Sequence, residues 1–467
     1  MSLSKLTGMA LGSIFVPRAR PKDFTAEEVA GSAPETAFPR GFLLGAATSS
    51  HQVEGGTEND WTDWENTSYP DGKPHIHDGT KSGLACDSWN RFDQDLRLLQ
   101  ELGANAYRWS VEWARLEPEE GRWNQEAADR YKSWMDQLSA AGISSMVTAY
   151  HFTLPRWVAK DGGWQSDRTI DRFEAFVRRL ADAFGKLPDL WCTVNEPTVI
   201  AIQGYLRGDW PPGLKDEAET ARVIARVMKG HARAARILRE RTGKPVGIAH
   251  HVRLLHPATW SPLDRVIARV SDHFVNDAVV DCHRTGRIQI MIPGKITIDE
   301  AVPDLKGSYD YLGINYYTRD HVRTDFKDPS MSRQFVPASR PKNDLGWDIY
   351  PAGLHHTLMR WKRLKLPIYI TENGMADNTG DRRPEFLRSH LYAIERALRD
   401  GADVRGYYHW SLLDNFEWAE GFTPRFGLYR VDYDDPHRKR TATPAVAVFQ
   451  EFARKLRAAS GAAAGKG

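Results

Sequence analysis

Short apolar runs alternate with amphipathic helical stretches along most of the chain, and this alternation constrains the fold more than any other feature of the sequence. Several of the runs are continuously apolar, as strands buried on both faces of a parallel sheet are. The eight predicted strands are "FLLGAATSS" from Phe42, "AYRWSVEW" from Ala106, "SSMVTAYHF" from Ser144, "LWCTVNE" from Leu190, "VGIAHHVRLL" from Val246, "YLGINYY" from Tyr311, "PIYITEN" from Pro367 and "VRGYYHWSLL" from Val404. Eight strand-then-helix units over about 420 residues predict an α/β fold, a (β/α)8 TIM barrel with long βα loops.

Helical patterns fill most of the gaps between these runs. Four of them begin at Asp87, Gln125, Asp171 and Arg383. The first, second and fourth end at Gly103, Gly142 and Gly401, where a glycine would terminate a helix. A doubly wound open sheet is the alternative fold, but it gives no reason for polar residues at so many strand ends.

The chain of 467 residues is long enough for several average domains or for one large barrel. Residues 1–40 are rich in Pro, Ala and charge without apolar periodicity, which predicts a partly ordered or flexible N-terminal extension. Residues 459–467, "ASGAAAGKG", are predicted to be a flexible tail. Because no Pro/Ser-rich linker divides residues 41–458, they are predicted to form one barrel domain.

The composition excludes several classes of partner. Lys+Arg 63 against Asp+Glu 61 gives a formal net charge of +2, which provides no global field for nucleic acid or an anionic membrane. No run approaches the roughly 20 apolar residues that span a bilayer. A neutral small molecule is therefore the expected partner, and the sequence makes no prediction of the oligomeric state.

Cysteine and histidine spacing argues against disulfides and metals. Three widely spaced cysteines favour a reducing compartment. A cytoplasmic location is expected, with the N-terminal segment as a non-secretory extension, although secretion through an atypical N-terminal segment stays open. His75, His77, His250 and His251 match no paired metal motif and are predicted to be loop and strand histidines. No metal or cofactor is predicted.

Polar side chains mark the ends of the predicted strands. In a (β/α)8 barrel all these ends meet at one rim, where such enzymes keep their active sites. The residues are Gln52, Glu54, Glu112, His151, Asn195, Glu196, Asn315, Tyr316, Tyr317, Glu372 and Trp410, with Glu417 and Trp418 shortly after the last strand.

Two of these residues, Glu196 in "TVNEP" and Glu372 in "ITENG", suit the cleavage of a glycosidic bond. One acid must protonate the leaving oxygen, and the other face of the anomeric carbon needs a nucleophile or a base-activated water. A single strand-end glutamate is as often a structural ion-pair partner. Two of them, each beside an asparagine, favour the catalytic interpretation.

These motifs resemble glycoside hydrolase family 1, the β-glucosidase-like retaining enzymes. The resemblance runs from about Phe38 to Phe452 and includes "FPRGFLLGAATSSHQVEGG", "YRWSVEWARLEP", "GINYYT" and "HWSLLDNFEWAEGFTPRFGLYRVDY". It implies the same barrel, with Glu196 as acid/base and Glu372 as nucleophile. It also implies hydrolysis of terminal nonreducing β-D-glucosyl residues from neutral β-glucosides and cello-oligosaccharides by double displacement.

The resemblance implies roles for nine further residues. A set that binds the sugar comprises Gln52, His151, Asn195, Trp410, Glu417 and Trp418. A set that supports the nucleophile comprises Arg108, Asn315 and Tyr317. Taken singly, His151 and the two tryptophans would also suit a buried core, and Asn195 would suit a turn.

The chain departs from the family pattern at two positions. Phe152 and Thr198 stand where many members have tryptophan, which affects the packing beside the sugar and the platform under the leaving group. Two other functions stay open on the same fold: a 6-phospho-β-glycosidase and a non-catalytic sugar-binding relative. Phospho-specific relatives carry serine at the position of Glu417, followed by a basic and a hydroxyl-bearing residue, and non-catalytic relatives are expected to lose one carboxylate.

Overall fold

Eight parallel strands close into a barrel, as predicted. The computed structural model describes residues 22–292, 294–327 and 332–464. The barrel strands are β1 (Leu43–Ala47), β2 (Ala106–Ser110), β3 (Ser144–Tyr150), β4 (Leu190–Asn195), β5 (Val246–Pro257), β8 (Tyr311–Thr324), β10 (Ile368–Asn373) and β11 (Val404–Trp410). They pair in this order, and β11 pairs with β1 to close the barrel. Most of their side chains are buried, which explains the continuously apolar runs.

Helices surround the barrel and connect its strands. Those of eight or more residues are Ser88–Leu102, Gln125–Ala140, Arg168–Phe184, Glu217–Thr242, Pro262–Asp272, Ala278–Thr285, Pro351–Trp361, Arg383–Arg399 and Ala445–Ala464. Shorter helices are Ala26–Ala30, Ser50–Val53, Asp60–Glu65, Trp113–Leu116, Arg156–Lys160 and Pro197–Ala201, with π-helical turns at Ile202–Arg207 and His273–Asp277. Single 3₁₀ turns lie at Pro34–Thr36, Gly163–Gln165, Lys362–Leu364 and Trp418–Glu420.

Glycines end three of the predicted helices. Gly103 is the C-cap of its helix, with a left-handed φ of 70°. Gly142 and Gly401 lie one residue beyond the C-caps of theirs, at φ 68° and 81°. All three adopt the left-handed conformation that favours glycine, so each marks the end of a helix as the sequence predicted.

Five short strands outside the barrel were not predicted. An antiparallel hairpin joins β6 (Arg287–Ile292) to β7 (Ile296–Ala301), and β12 (Tyr429–Val431) pairs with β13 (Arg440–Ala442). Strand β9 (Ser332–Phe335) pairs with the far end of β8. The sequence signal for them is weak because they are short or carry polar side chains on an exposed surface.

The described part of the N-terminal extension lies against the barrel. Asp23 forms an ion pair with Arg340, and both Ser32 Oγ and Ala33 N donate to the buried carboxylate of Glu395. At the other end the last helix continues to Ala464, so six residues of the predicted tail are helical, in keeping with their alanine content. Residues 1–21 and 465–467 lie outside the described residues.

Within the described ranges, no helix combines the length and the apolar character required to cross a bilayer.

Candidate active site

The carboxylate of Glu372, at the end of β10, is held by two donors from other strands. Arg108 Nη1 lies 2.5 Å from Oε1 and also donates to the carbonyl oxygen of Thr371 at 3.1 Å. Tyr317 Oη donates to Oε2 at 2.7 Å. All three side chains are buried. Both carboxylate oxygens are thus occupied by donors, which stabilise the anion.

Glu196 follows β4 in a left-handed conformation, with φ 47° and ψ 66°. Its backbone N–H donates to Ala249 O at 2.8 Å, so strand pairing with β5 continues through this residue. Its Oε1 accepts from Asn315 Nδ2 at 2.8 Å and lies 3.1 Å from His251 Nδ1. No hydrogen bond from a described residue reaches Oε2. One oxygen of Glu196 is therefore anchored, and the other is available to a substrate.

Two asparagines join the surroundings of the two glutamates. Asn195 Oδ1 accepts from Arg108 Nη2 at 2.6 Å and from Asn315 Nδ2 at 3.1 Å. Asn315 Oδ1 in turn accepts from Thr371 Oγ1 at 2.6 Å. Because a guanidinium can only donate, its contact with Asn195 determines which way that amide points. A continuous hydrogen-bonded network therefore connects Glu372 to Glu196.

The orientation of Asn195 also determines the state of His151. Asn195 Nδ2 faces His151 Nε2 at 3.1 Å, so this ring nitrogen accepts and the neutral ring carries its proton on Nδ1. Nδ1 is buried and has no hydrogen-bond partner among the described residues. The ring is stacked on Trp410 and Trp418, each with a centroid distance of 6.0 Å. Burial, together with the Arg108 charge, lowers the pKa of His151 well below its usual value.

Gln52 and Glu417 form a second polar group of the site. Gln52 Nε2 donates to Glu417 Oε2 at 3.3 Å and to Phe416 O at 2.9 Å, and Gln52 Oε1 accepts from Ser49 Oγ at 2.6 Å. Burial and the charge of Glu372 together raise the pKa of Glu417 to about 8, against hydrogen bonds from Trp410 and Gln52. Glu417 is therefore a partly buried carboxyl group with unused acceptor capacity.

Glu196 and Glu372 influence each other's proton. Burial raises the pKa of Glu372 to about 7, with Arg108 opposing and the charge of Glu196 adding to the rise. Burial also acts to raise the pKa of Glu196, but His251, Asn315 and Arg108 outweigh it and the net pKa is lowered. Two neighbouring buried carboxylates cannot both ionise freely, so the pair shares one proton, which is lost near pH 7.

All eleven residues predicted for the site lie at this rim. Seven of them belong to the network around the two glutamates: Arg108, His151, Asn195, Glu196, Asn315, Tyr317 and Glu372. The other four, Gln52, Trp410, Glu417 and Trp418, form the adjoining group. Their functional roles remain predictions.

His251 is a member of the site that its sequence pattern does not reveal. It was grouped with three other histidines as a strand or loop residue, yet its imidazole lies against Glu196. Its neighbour His250 is a buried strand histidine, with Nε2 2.9 Å from Asn276 O. The available signal was that His251 is a polar residue in the second half of the predicted strand from Val246, near the end of the strand that faces the rim. Among the described residues, no three His, Cys, Asp or Glu side chains form a group that could hold a metal.

The two departures from the family pattern lie on different sides of the site. Phe152 packs against Trp418 and Trp210, with centroid distances of 5.0 and 4.9 Å. Thr198, two residues after Glu196, is buried, and its Oγ1 has no hydrogen-bond partner among the described residues. Position 152 therefore keeps an aromatic side chain. At position 198, by contrast, the small hydroxyl-bearing side chain of Thr198 stands where many family members have the flat ring of tryptophan.

Comparison with known proteins agrees with this geometry. The chain is 34% identical over 432 residues to a 1,4-beta-D-glucan glucohydrolase of Thermotoga neapolitana, covering 86% of this chain and 99% of that protein. It is 34% identical over 425 residues to beta-glucosidase A of Thermotoga maritima, covering 86% and 94%. The solved structure of a beta-glycosidase from Pyrococcus horikoshii superposes with a TM-score of 0.82 at 36% identity, covering 90% of this chain and 95% of that one.

The family profile described as glycosyl hydrolase family 1 matches residues 34–457, which is most of the chain. Together with the relatives named above, this match establishes the protein as a glycosidase. The chain belongs to glycosyl hydrolase family 1.

Proposed function

We propose that this glycosidase hydrolyses terminal nonreducing β-D-glucosyl residues of neutral β-glucosides and cello-oligosaccharides by a retaining double displacement. The observation that carries the proposal is the pair of buried strand-end glutamates, each with its own donors and joined through Arg108, Asn195 and Asn315. The names of the Thermotoga relatives, a glucan glucohydrolase and a beta-glucosidase, support a glucosyl substrate.

In the first step the Glu372 carboxylate attacks the anomeric carbon, and the bond from that carbon to the glycosidic oxygen breaks. Glu196 gives its proton to the departing oxygen, so the leaving group departs as a neutral alcohol. The product is a glucosyl ester of Glu372. The attack starts from the form of the pair in which Glu372 is ionised, a form that the donors Arg108 and Tyr317 stabilise, and in this form Glu196 carries the shared proton.

In the second step a water molecule attacks the same anomeric carbon. Glu196 takes the proton of this water, and Glu372 leaves again as a carboxylate. Once Glu372 is esterified its negative charge is lost, so Glu196 releases a proton more readily and can act as a base. Two inversions at one carbon give net retention.

The remaining residues of the rim suit a glucose ring. Trp410 offers a flat apolar surface for the CH face of the sugar. His151 Nδ1 is an unpartnered buried donor among the described residues, and Glu417 is a partly buried acceptor. Such groups pair with the hydroxyls of a neutral sugar at little cost. Glu417 also opposes the 6-phospho-β-glycosidase alternative, because a carboxylate repels a phosphate.

Azide trapping tests the proposal and both glutamate assignments together. In Glu372→Gly we expect hydrolysis of 2,4-dinitrophenyl β-glucoside to fall to background, and added azide to restore turnover with α-glucosyl azide as product. The small anion then occupies the place of the missing nucleophile and attacks with one inversion. In Glu196→Gly the glucosyl ester still forms, so azide should replace water and give the β-glucosyl azide.

The stereochemistry of the two products, determined by ¹H NMR, decides the outcome. The same anomer from both variants would contradict the assignment of the roles. Near-normal hydrolysis by Glu372→Gly without azide would exclude Glu372 as the nucleophile.

A further inference from the structure

His251 contacts Glu196 directly, and no step of the proposed mechanism yet uses it. It lies on β5 opposite Asn315 of β8, and both side chains reach the same oxygen, Oε1 of Glu196. The imidazole is partly exposed, with 16% of its side-chain surface accessible, so it lies at the open side of the site. It therefore contacts Glu196 without being a buried part of the core.

A second contact orients the imidazole. Its ring is stacked on Tyr317, at a centroid distance of 6.3 Å and an interplanar angle of 27°. Tyr317 is itself fixed by its hydrogen bond to Glu372. The direction of Nδ1 toward Glu196 is thus determined by the strand register and by an aromatic neighbour.

The division between the two oxygens of Glu196 has a chemical consequence. A carboxyl group that is protonated on Oε2 still accepts hydrogen bonds at Oε1. Asn315 Nδ2 and His251 Nδ1–H can therefore hold Oε1 in both protonation states of Glu196. Oε2 is left to give a proton in one step of the reaction and to take one in the other.

We propose that His251 is a positioning residue for Glu196, donating from Nδ1 to Oε1 so that Oε2 is the oxygen that exchanges the proton with the leaving group and the water. This inference rests on the proposed role of Glu196 as acid/base. Asn315 cannot replace His251 fully, because its amide also donates to Asn195 Oδ1.

The donation also influences the pH at which Glu196 loses its proton. Hydrogen bonds from donors favour the carboxylate over the neutral acid, so the loss of the His251 donor should raise the pKa of Glu196. The titratable groups that the structure places against His251 are Glu196, which follows β4, Tyr317 on β8 and the adjacent His250. Of these, the structure shows only Glu196 hydrogen-bonded to the imidazole.

A pair of variants of equal shape tests the proposal. Asn and Leu have nearly the same size, but only His251→Asn keeps an N–H close to the position of Nδ1. In His251→Leu we expect the basic limb of the kcat/KM profile for 4-nitrophenyl β-glucoside to move to higher pH by about one unit, as one hydrogen bond to a charged group would cause. His251→Asn should restore a basic limb near that of the wild type.

The leaving group provides a second readout. In His251→Leu we expect kcat/KM to fall about tenfold for poor leaving groups such as methyl β-glucoside, where protonation by Glu196 is needed. The loss should be small for 2,4-dinitrophenyl β-glucoside, which needs little protonation. A purely structural defect would reduce activity on both substrates alike.

The possible results separate the two proposals. Wild-type protein without activity on any β-glucoside would contradict the proposed function. An active wild type whose basic limb is unchanged in His251→Leu would overturn the role of His251, and so would His251→Asn with the profile of His251→Leu. If His251→Leu does not fold, the ¹⁵N shifts of His251 in the wild type decide, since an unprotonated Nδ1 would contradict the donation.

Discussion

The two glutamates of the site differ in the kind of donor that each one meets. Glu372 has a guanidinium and a phenol, one on each oxygen, whereas Glu196 has an amide and an imidazole on the same oxygen. An arginine is always charged, so it stabilises the anion at every working pH. The donors on both oxygens stabilise the Glu372 anion, whereas Oε2 of Glu196, with no donor among the described residues, is left for the exchange of a proton.

Glu417 decides, in our proposal, which sugars are accepted. A phosphate on carbon 6 carries close to two negative charges and would meet the partly buried Glu417 carboxylate once that group is ionised. Above pH 8 neutral glucosides should be preferred over their 6-phosphates by about 10²-fold or more in kcat/KM. Because the pKa of Glu417 is about 8, the preference should grow between pH 6 and pH 9 as the carboxyl ionises.

Two variants of Glu417 separate its charge from its hydrogen bonds. Glu417→Ser should lower activity on the neutral glucoside and reduce its preference over the 6-phosphate. In Glu417→Gln this preference should no longer increase with pH, because the side chain cannot ionise. Parallel assays of 4-nitrophenyl β-glucoside and its 6-phosphate measure both effects. Equal cleavage of the two substrates by the wild type would show that the assignment of Glu417 is wrong.

At the scale of the elements, the site depends on how closely neighbouring strand ends approach. Gly374 follows β10 immediately after the Glu372-Asn373 pair, and a Cβ at this position would overlap with the carbonyl oxygen of Trp410 at the end of β11. Because Gly374 does not have a positive φ, space and not backbone conformation requires glycine here. The backbone that follows Glu372 thus packs directly against the backbone of Trp410, which leaves no space for a side chain at position 374.

Gly374→Ala is expected to disturb this contact. An added methyl group in a packed site typically costs about 1–3 kcal/mol of stability. We expect a lower midpoint of thermal unfolding and a loss of kcat/KM larger than that loss of stability alone would cause. Gly31→Ala is the matched control, since its Cβ would lie 3.4 Å from Glu27 O, far from the site. Equal effects of both substitutions would contradict the close approach.

At the scale of the whole molecule, buried groups with shifted pKa values make stability depend on pH in two directions. Burial raises the pKa of carboxyl groups and lowers that of imidazoles. The carboxyl groups with a raised pKa include Glu54, at about 7, and Glu417, at about 8, together with Asp60, Asp95 and Asp414. The imidazoles with a lowered pKa include His250, at about 4, and His231, His390 and His409, at about 3, together with His151.

The free energy of unfolding is therefore expected to be highest between about pH 4.5 and pH 6.5. These limits are the ordinary pKa values of a glutamate carboxyl group and of an imidazole. Above pH 6.5 the folded state alone keeps protons on Glu54 and Glu417, so stability falls as the pH rises toward 8. Below pH 4.5 the unfolded state alone protonates these imidazoles, so stability falls as the pH decreases. Between these limits the carboxyl groups and the imidazoles act in opposite directions, so the slope of stability against pH is smaller.

Urea unfolding at a series of pH values measures this curve. Glu417→Gln removes the carboxyl group with the higher of these two pKa values and should reduce the slope above pH 6.5 by about half or more, because Glu54 has lost most of its proton before pH 8. A wild-type stability that still rises between pH 6.5 and 8 would contradict the shifted pKa values.

Much of the fold could be predicted because its signal is local. All eight barrel strands coincide with apolar runs, since a strand covered on both faces needs apolar side chains at nearly every position. The hairpin of β6 and β7 escaped prediction because its outer face is exposed and polar. The packing of Ser32 against Glu395 joins residues 363 positions apart, and no local pattern reports such a contact.

The sequence by itself determined the barrel, the residues of its rim and the membership of a family, because apolar periodicity and long motifs are properties of the chain. Only the tertiary structure decided how those residues are connected. The orientation of Asn195 depends on Arg108 from another strand, and the contact of His251 with Glu196 depends on the register of neighbouring strands. Hydrogen bonds between distant residues need defined distances and angles, and these exist only after the barrel has closed.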